Sequence, residues 1–171
     1  MRWLMQTGTR SSSLCLDTSY LVGLFDQSDL WHSQSMEIYR LLRQRQVSVY
    51  YFDCVLNELL TVLARRCREN SRTQPFPEVA QQVNQVISTA AITWIYPYTQ
   101  EWYAQCLSIM LDTQGQLNFH DALIVVATQE LGIPALVSFD SGFDLLQTVD
   151  RLGSYDDVNS WLISQDIHPQ H

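Results

Sequence analysis

The 171 residues suffice for one compact domain with its own core, and an apolar share of 46% beside only 16% charged residues marks a globular chain. All ten basic residues are arginine, which excludes Schiff-base chemistry, a P-loop lysine and a lysine general base. The net charge of -8 opposes a nucleic-acid partner, yet it is unevenly spread: residues 1–72 hold nine arginines against seven acids, and residues 73–171 hold Arg151 alone against eleven.

In chain order, SLCLD is an apolar run that ends at Asp17 and is stopped by Thr18 and Ser19, the pattern of a buried strand entering a turn. A short helix through Leu21, Leu24 and Phe25 follows. From Leu30 to Arg45 the positions Met36, Ile38, Tyr39, Leu41 and Leu42 recur at helical spacing, with Asp29 as the cap. VSVYYF at 47–52 predicts a second strand. Asp53 is placed to cap a long helix whose stripe of Val55, Leu56, Leu59, Leu60, Val62 and Leu63 ends among Arg65, Arg66 and Arg68. NSRTQPFP at 70–77 predicts a loop, 78–91 a helix, ITWIYPY at 92–98 a strand, and 99–112 a helix closed by the loop at Gly115.

The helix from Asn118 to Gly132 has a cap at one end and Gly132 and Pro134 at the other. ALVSFD at 135–140 predicts a buried strand, followed by a turn at Gly142, a helical segment to Leu146 and an edge strand near Val149. A single domain over 1–171 is expected, with its core at 13–154 and a terminal helix and tail over 155–171. The βαβαβ order with apolar strands predicts an α/β/α sandwich around a mostly parallel sheet. The four cysteines, Cys15, Cys54, Cys67 and Cys106, form no CxxC pair and read as buried thiols of a reducing cytosol. MRWLMQTGTR is too poor in apolar residues for a signal peptide, and ALIVVA at 122–127 is far below a membrane span, so a cytoplasmic protein is expected.

Two strands end alike, LCLD at Asp17 and LVSFD at Asp140. In open α/β sheets the ligand crevice lies at the carboxyl ends of the strands, so both carboxylates point toward one place. Taken singly, each aspartate is equally a cap for the next turn or helix. Glu58 lies inside its helix's apolar stripe, about 60° around from Val55 and about 40° from Val62. A buried carboxylate there needs a partner, a proton or a cation; the bland alternatives are snorkelling, or an ion pair with Arg65 or Arg66. Asp121 stands in the first turn after Asn118, where an acid also complements the macrodipole and the cap. Four carboxylates in one crevice, with no lysine near, call for a hard cation such as Mg²⁺ or Mn²⁺, which polarises a phosphate and lowers the pKa of a bound water.

LDTSYLV near the start, the glutamate of NELL, NFHDALIVVAT on a late helix and LVSFDSGF on the next strand resemble a PIN domain, most closely the VapC-like toxins. The likeness covers roughly residues 13 to 147. It implies that Asp17, Glu58, Asp121 and Asp140 are the catalytic, metal-binding acids, with Thr18, Ser19 and Ser138 as hydroxyls that orient them. It further implies an RNA substrate, single-stranded or structured, Mg²⁺ or Mn²⁺ as cofactor, a homodimer and a cognate antitoxin. Two positions depart from the pattern: Phe139 stands where many relatives carry a basic residue, and Gly142 where they carry a second acid. Asp144 is close by but out of register, and is expected to cap a helix or support the site from outside.

Other residues carry weaker signals. Arg65, Arg66, Arg68 and Arg72 either cap a helix or track an RNA backbone. His120 adjoins Asp121 and is expected to be structural, and Tyr50, Tyr51, Trp94 and Tyr96 are expected in the core. A haloacid-type phosphatase needs a DxD where this chain has Asp-Thr-Ser, and both it and a response receiver need a lysine. Within the resembled fold, the alternatives to a toxin are an RNA maturation or quality-control nuclease without an antitoxin, and a catalytically inactive binding module.

Overall fold

The computed structural model describes residues 13–69 and 74–167. The segment MRWLMQTGTR, residues 70–73 of the expected loop with Arg72, and residues 168–171 with His168 and His171 lie outside the described residues. The elements are β1 (Ser13–Leu16), α1 (Thr18–Phe25), α2 (His32–Gln44), β2 (Ser48–Phe52), α3 (Asp53–Glu69), α4 (Phe76–Val86), β3 (Ile92–Thr93), α5 (Thr99–Asp112), α6 (Phe119–Leu131), β4 (Ala135–Val137), β5 (Asp150–Leu152) and α7 (Tyr155–Ile167). Short 3-10 turns occupy Thr89–Ala91, Tyr96–Tyr98 and Ser141–Leu145.

The sheet runs β3-β2-β1-β4-β5 and is parallel throughout, with Leu14 opposite Val49 on one side and Ala135 on the other. Parallel strands need crossovers, and the helices supply them, covering both faces in an α/β/α sandwich. The central strands are accordingly apolar on both sides: Leu14, Cys15, Leu16, Ala135, Leu136 and Val137 are all buried. From β1 the chain winds outward through β2 and β3, then returns to lay β4 and β5 on β1's other flank. The order therefore reverses between β1 and β4, and in open α/β sheets it is at such a switch point, at the strands' carboxyl ends, that ligands bind.

Several boundaries differ from expectation. The second helix begins at His32, and Asp29 does not cap it; its carboxylate accepts the Trp31 N–H and pairs with Arg66 instead. The fourth helix starts earlier, at Phe76, because Pro77 in its first turn has no N–H to satisfy and its φ already suits a helix. It also ends earlier, at Val86. The strand expected over 92–98 pairs only at Ile92 and Thr93. Beyond them the Asp53 carboxylate takes the N–H groups of Ile95 and Tyr96, and Pro97 has none to offer a ladder. Trp94 and Tyr96 are consequently exposed rather than core, while Tyr50 and Tyr51 do pack against it. Gly132 ends α6 at φ 64°, a left-handed conformation that glycine adopts without strain. Among the described residues no helix is long and apolar enough to cross a membrane. All four cysteines are free, with Cys67 only half-buried.

Candidate active site

Asp17 follows β1 directly, and its N–H donates to the Val137 carbonyl of β4 at 3.0 Å, so the two strand ends are tied across the switch point. Its Oδ2 accepts from the Ser19 hydroxyl at 2.6 Å, the Ser138 hydroxyl at 2.8 Å and the Ser19 N–H at 3.2 Å. The same hydroxyls hold the β4 loop: Ser138 Oγ accepts the Asp140 N–H at 3.0 Å, and Ser19 Oγ accepts the Phe139 N–H at 2.9 Å. Ser138 is fully buried and Asp17 nearly so. This seam fixes Asp17 and the start of the Asp140 turn as one unit.

Helix α3 brings in Glu58, whose Oε2 accepts the Thr18 hydroxyl at 3.0 Å. Helix α6 brings in Asp121 through a capping box: Asn118 Oδ1 accepts the N–H groups of His120 and Asp121, and Asp121 Oδ2 accepts the Asn118 N–H at 2.8 Å. Asp140 Oδ1 accepts the Gly142 N–H at 2.7 Å. Capping thus occupies one carboxylate oxygen of Asp121 and of Asp140. Each of the four acids is anchored through one oxygen, Asp17 Oδ2, Glu58 Oε2, Asp121 Oδ2 and Asp140 Oδ1, and among the described residues its second oxygen takes no hydrogen bond.

Their charges act on one another. Asp121 is pushed up to about 7, first by burial and then by the negative charges of Asp17, Asp140 and Glu58, against the opposing pull of the Asn118 N–H. Behind the site, burial and neighbouring carboxylates raise the Cys15 and Cys54 thiols, which keeps them inert. Among the described residues no three His, Cys, Asp or Glu side chains stand close enough to form a ready-made metal cage. The donor set nonetheless fits a hard ion: it is all oxygen, it is anionic, and Mg²⁺ commonly takes only one or two carboxylates directly while retaining waters.

Asp144 is no cap. It holds Arg151 in a two-pronged pair at 2.6 and 2.8 Å, which keeps its carboxyl below the usual range, and Arg151 also donates to the Ser138 carbonyl at 3.1 Å. The ion pair thereby braces the loop that carries Asp140. Gly142 leaves room for the Asp140 carboxylate; a Cβ there would stand 3.1 Å from Asp140 Oδ1 and from Leu117 Cδ2. Of the α3 arginines, Arg65 and Arg68 are exposed, whereas Arg66 donates to both Asp26 and Asp29 at 2.6 Å. One cluster at the rim was not foreseen: Asn57 donates to the Tyr96 hydroxyl at 2.9 Å, which lies 3.5 Å from His120 Nε2. Its only sequence signal was Pro97, which argued against a strand there.

A family model for the PIN domain matches residues 14–148. The chain belongs to the PIN domain family. Membership supports nuclease activity for this PIN domain. No curated protein matches its sequence. Among solved structures, it resembles Mycobacterium tuberculosis VapC20, a sarcin-ricin loop cleaving toxin, with a TM-score of 0.59 and 22% identity over 77% of this chain and 92% of that one. It also resembles Rickettsia felis VapBC2, solved bound to a DNA fragment from its promoter, with a TM-score of 0.61 and 13% identity over 82% of this chain and 97% of that one. A Pyrobaculum aerophilum protein gives a TM-score of 0.58 and 16% identity over 96% of both chains. At these identities the structural likeness establishes the fold.

Proposed function

We propose that this PIN domain is a metal-dependent endoribonuclease and the toxin of a toxin-antitoxin pair. The observation that carries the chemistry is the set of four carboxylates at the switch point, each fixed by one oxygen and free at the other, whose charges act on Asp121. Asp17 and Asp121 would hold the principal ion, with Glu58 and Asp140 completing the set. A bound Mg²⁺ or Mn²⁺ supplies positive charge to a scissile phosphate and acidity to a water. The chain's own part is positional: Ser19, Ser138 and Thr18 lock the carboxylates, and the Arg151–Asp144 pair braces the Asp140 loop. The RNA substrate and the antitoxin are supported by the likeness to VapC20 and VapBC2. A homodimer is supported by Tyr103, Leu107 and Leu111, three exposed apolar residues spaced four apart on α5.

The chemical outcome tests the proposal. Ribonucleases that rely on histidine activate the RNA's own 2′-hydroxyl and release a cyclic phosphate, which needs acid and base groups titrating near neutrality. Among the described residues, the histidine next to these carboxylates in the chain is His120, beside Asp121. Attack by water instead breaks the bond to the 3′-oxygen, which leaves with the proton. Cleavage is expected to give 5′-phosphate and 3′-hydroxyl ends, to stop in EDTA, and to be restored by Mn²⁺ at least as well as by Mg²⁺. Mass spectrometry showing 2′,3′-cyclic phosphate ends formed in EDTA would overturn it.

A further inference from the structure

The loop that carries Asp140 also carries an aromatic contact. Trp31, in the turn before α2, stacks on Phe139 with ring centroids 4.8 Å apart and planes inclined by 18°, and Phe139 leans in turn on the buried Tyr20 at 6.0 Å. Phe139 sits in the chain between Ser138, whose hydroxyl donates to Asp17, and Asp140, while its own N–H is held by Ser19. The indole is therefore mounted on the loop that builds the acidic site. It nevertheless keeps 40% of its surface exposed, beside Leu30 at 86%. Its mounting is stiff: the Trp31 N–H donates to Asp29 at 2.9 Å, Arg66 pins Asp29, and the neighbouring His32 ring meets the Gly23 carbonyl at 2.8 Å.

We propose that Trp31, backed by Phe139, is a platform on which one unpaired nucleobase of the substrate stacks beside the carboxylates; this rests on the ribonuclease proposal above. An aromatic ring held rigid loses little freedom when a base settles on it, and every base has a π-face to offer. Charge favours this mode of holding RNA. The protein carries a net charge of -8 and no lysine, and the arginines that bond this turn and the Asp140 loop, Arg66 and Arg151, are already engaged by carboxylates. Neutral stacking supplies affinity that these two engaged arginines do not. The exposed Leu30 would equally suit an apolar peptide, but Phe139's neighbours belong to the acidic site, and that contiguity favours the nucleobase.

Steady-state cleavage of a short single-stranded RNA in Mn²⁺ reads the platform out. Trp31→Ala is expected to raise KM about 5- to 100-fold with kcat within about twofold, and Trp31→Phe to recover most of the loss. Placing an abasic residue at each flanking position in turn should cost the wild type a similar factor at one position and cost Trp31→Ala nothing more there. RNA binding in EDTA should quench tryptophan emission in the wild type but not in Trp31→Phe. A Trp31→Ala enzyme that folds, cleaves and responds to the abasic series as the wild type does would overturn the platform, as would a variant that loses only a protein partner. Quenching that depends on Trp31 without any cleavage would overturn the nuclease proposal and leave the platform standing; neither binding nor cleavage by the wild type would overturn both.

Discussion

At the scale of single residues, the four proposed site acids are anchored differently and should fail differently. Asp17→Asn keeps an oxygen for the Ser19 and Ser138 hydroxyls but removes the charge, so the fold should persist while metal-dependent cleavage falls by more than the roughly 10- to 100-fold that losing an outer support costs. Ser138→Ala should fall within that range, because it releases both Asp17 and the Asp140 N–H. Equal rates for Asp17→Asn and the wild type would dismiss the site. Asp121 adds a dependence on pH. Its folded pKa of about 7 lies above the unfolded carboxylate's, so between the two values only the folded state holds the proton. The resulting penalty is absent below about pH 4, grows through the interval and is complete above about 7. In EDTA, Asp121→Asn should raise the melting temperature by roughly 2–10 °C at pH 8 and hardly at all at pH 4. A gain that is the same at both pH values would rule out ionisation as its cause. The candidate acids could be picked out one by one, Asp17 and Asp140 at the ends of apolar runs, Glu58 inside a stripe and Asp121 in a helix's first turn. The Asn57–Tyr96–His120 and Trp31–Phe139 contacts were not, because each joins segments that are neighbours only in the folded chain.

At the scale of elements, the long helices and the two central strands were legible because periodicity and burial agree there; every buried position of β1 and β4 belongs to an unbroken apolar run. Apart from α4, whose start Pro77 sets, the misread ends noted above share one physical cause: a side chain captured a backbone or charged group that local pattern assigned elsewhere. Asp53 took the Ile95 and Tyr96 N–H groups from a strand, and Asp29 served Trp31 and Arg66 rather than a helix start. Arg66 likewise ties α3 to the turn after α1. Arg66→Ala should therefore cost about 2 kcal/mol, a fall of roughly 4–8 °C in melting temperature. Arg65→Ala and Arg68→Ala should leave stability within about 0.5 kcal/mol, weaken RNA binding for every sequence, and each lower its salt slope by about one. Unchanged salt slopes in both variants would remove the α3 arginines from the RNA path.

At the scale of the whole molecule, charge and apolar surface make opposite demands on ionic strength. Two copies each carrying -8 repel over about 30 Å in 0.01 M salt and about 8 Å in 0.15 M. The α5 stripe of Tyr103, Leu107 and Leu111 is attracted to its like by removal from water, which added salt does not weaken. Self-association through α5 should therefore tighten as salt rises, while the proposed RNA binding should weaken over the same range if arginine meets phosphate. Leu111 is the most exposed of the three at 69%, so Leu111→Glu should leave the fold intact and place a second like charge at the contact. Sedimentation is expected to find the wild type moving from monomer toward dimer between 0.01 and 0.3 M salt, and Leu111→Glu remaining monomeric throughout. A dimer that falls apart as salt is added, or one that survives Leu111→Glu, would mean that charge pairing or another face joins the copies, since burial of this stripe predicts the reverse of both.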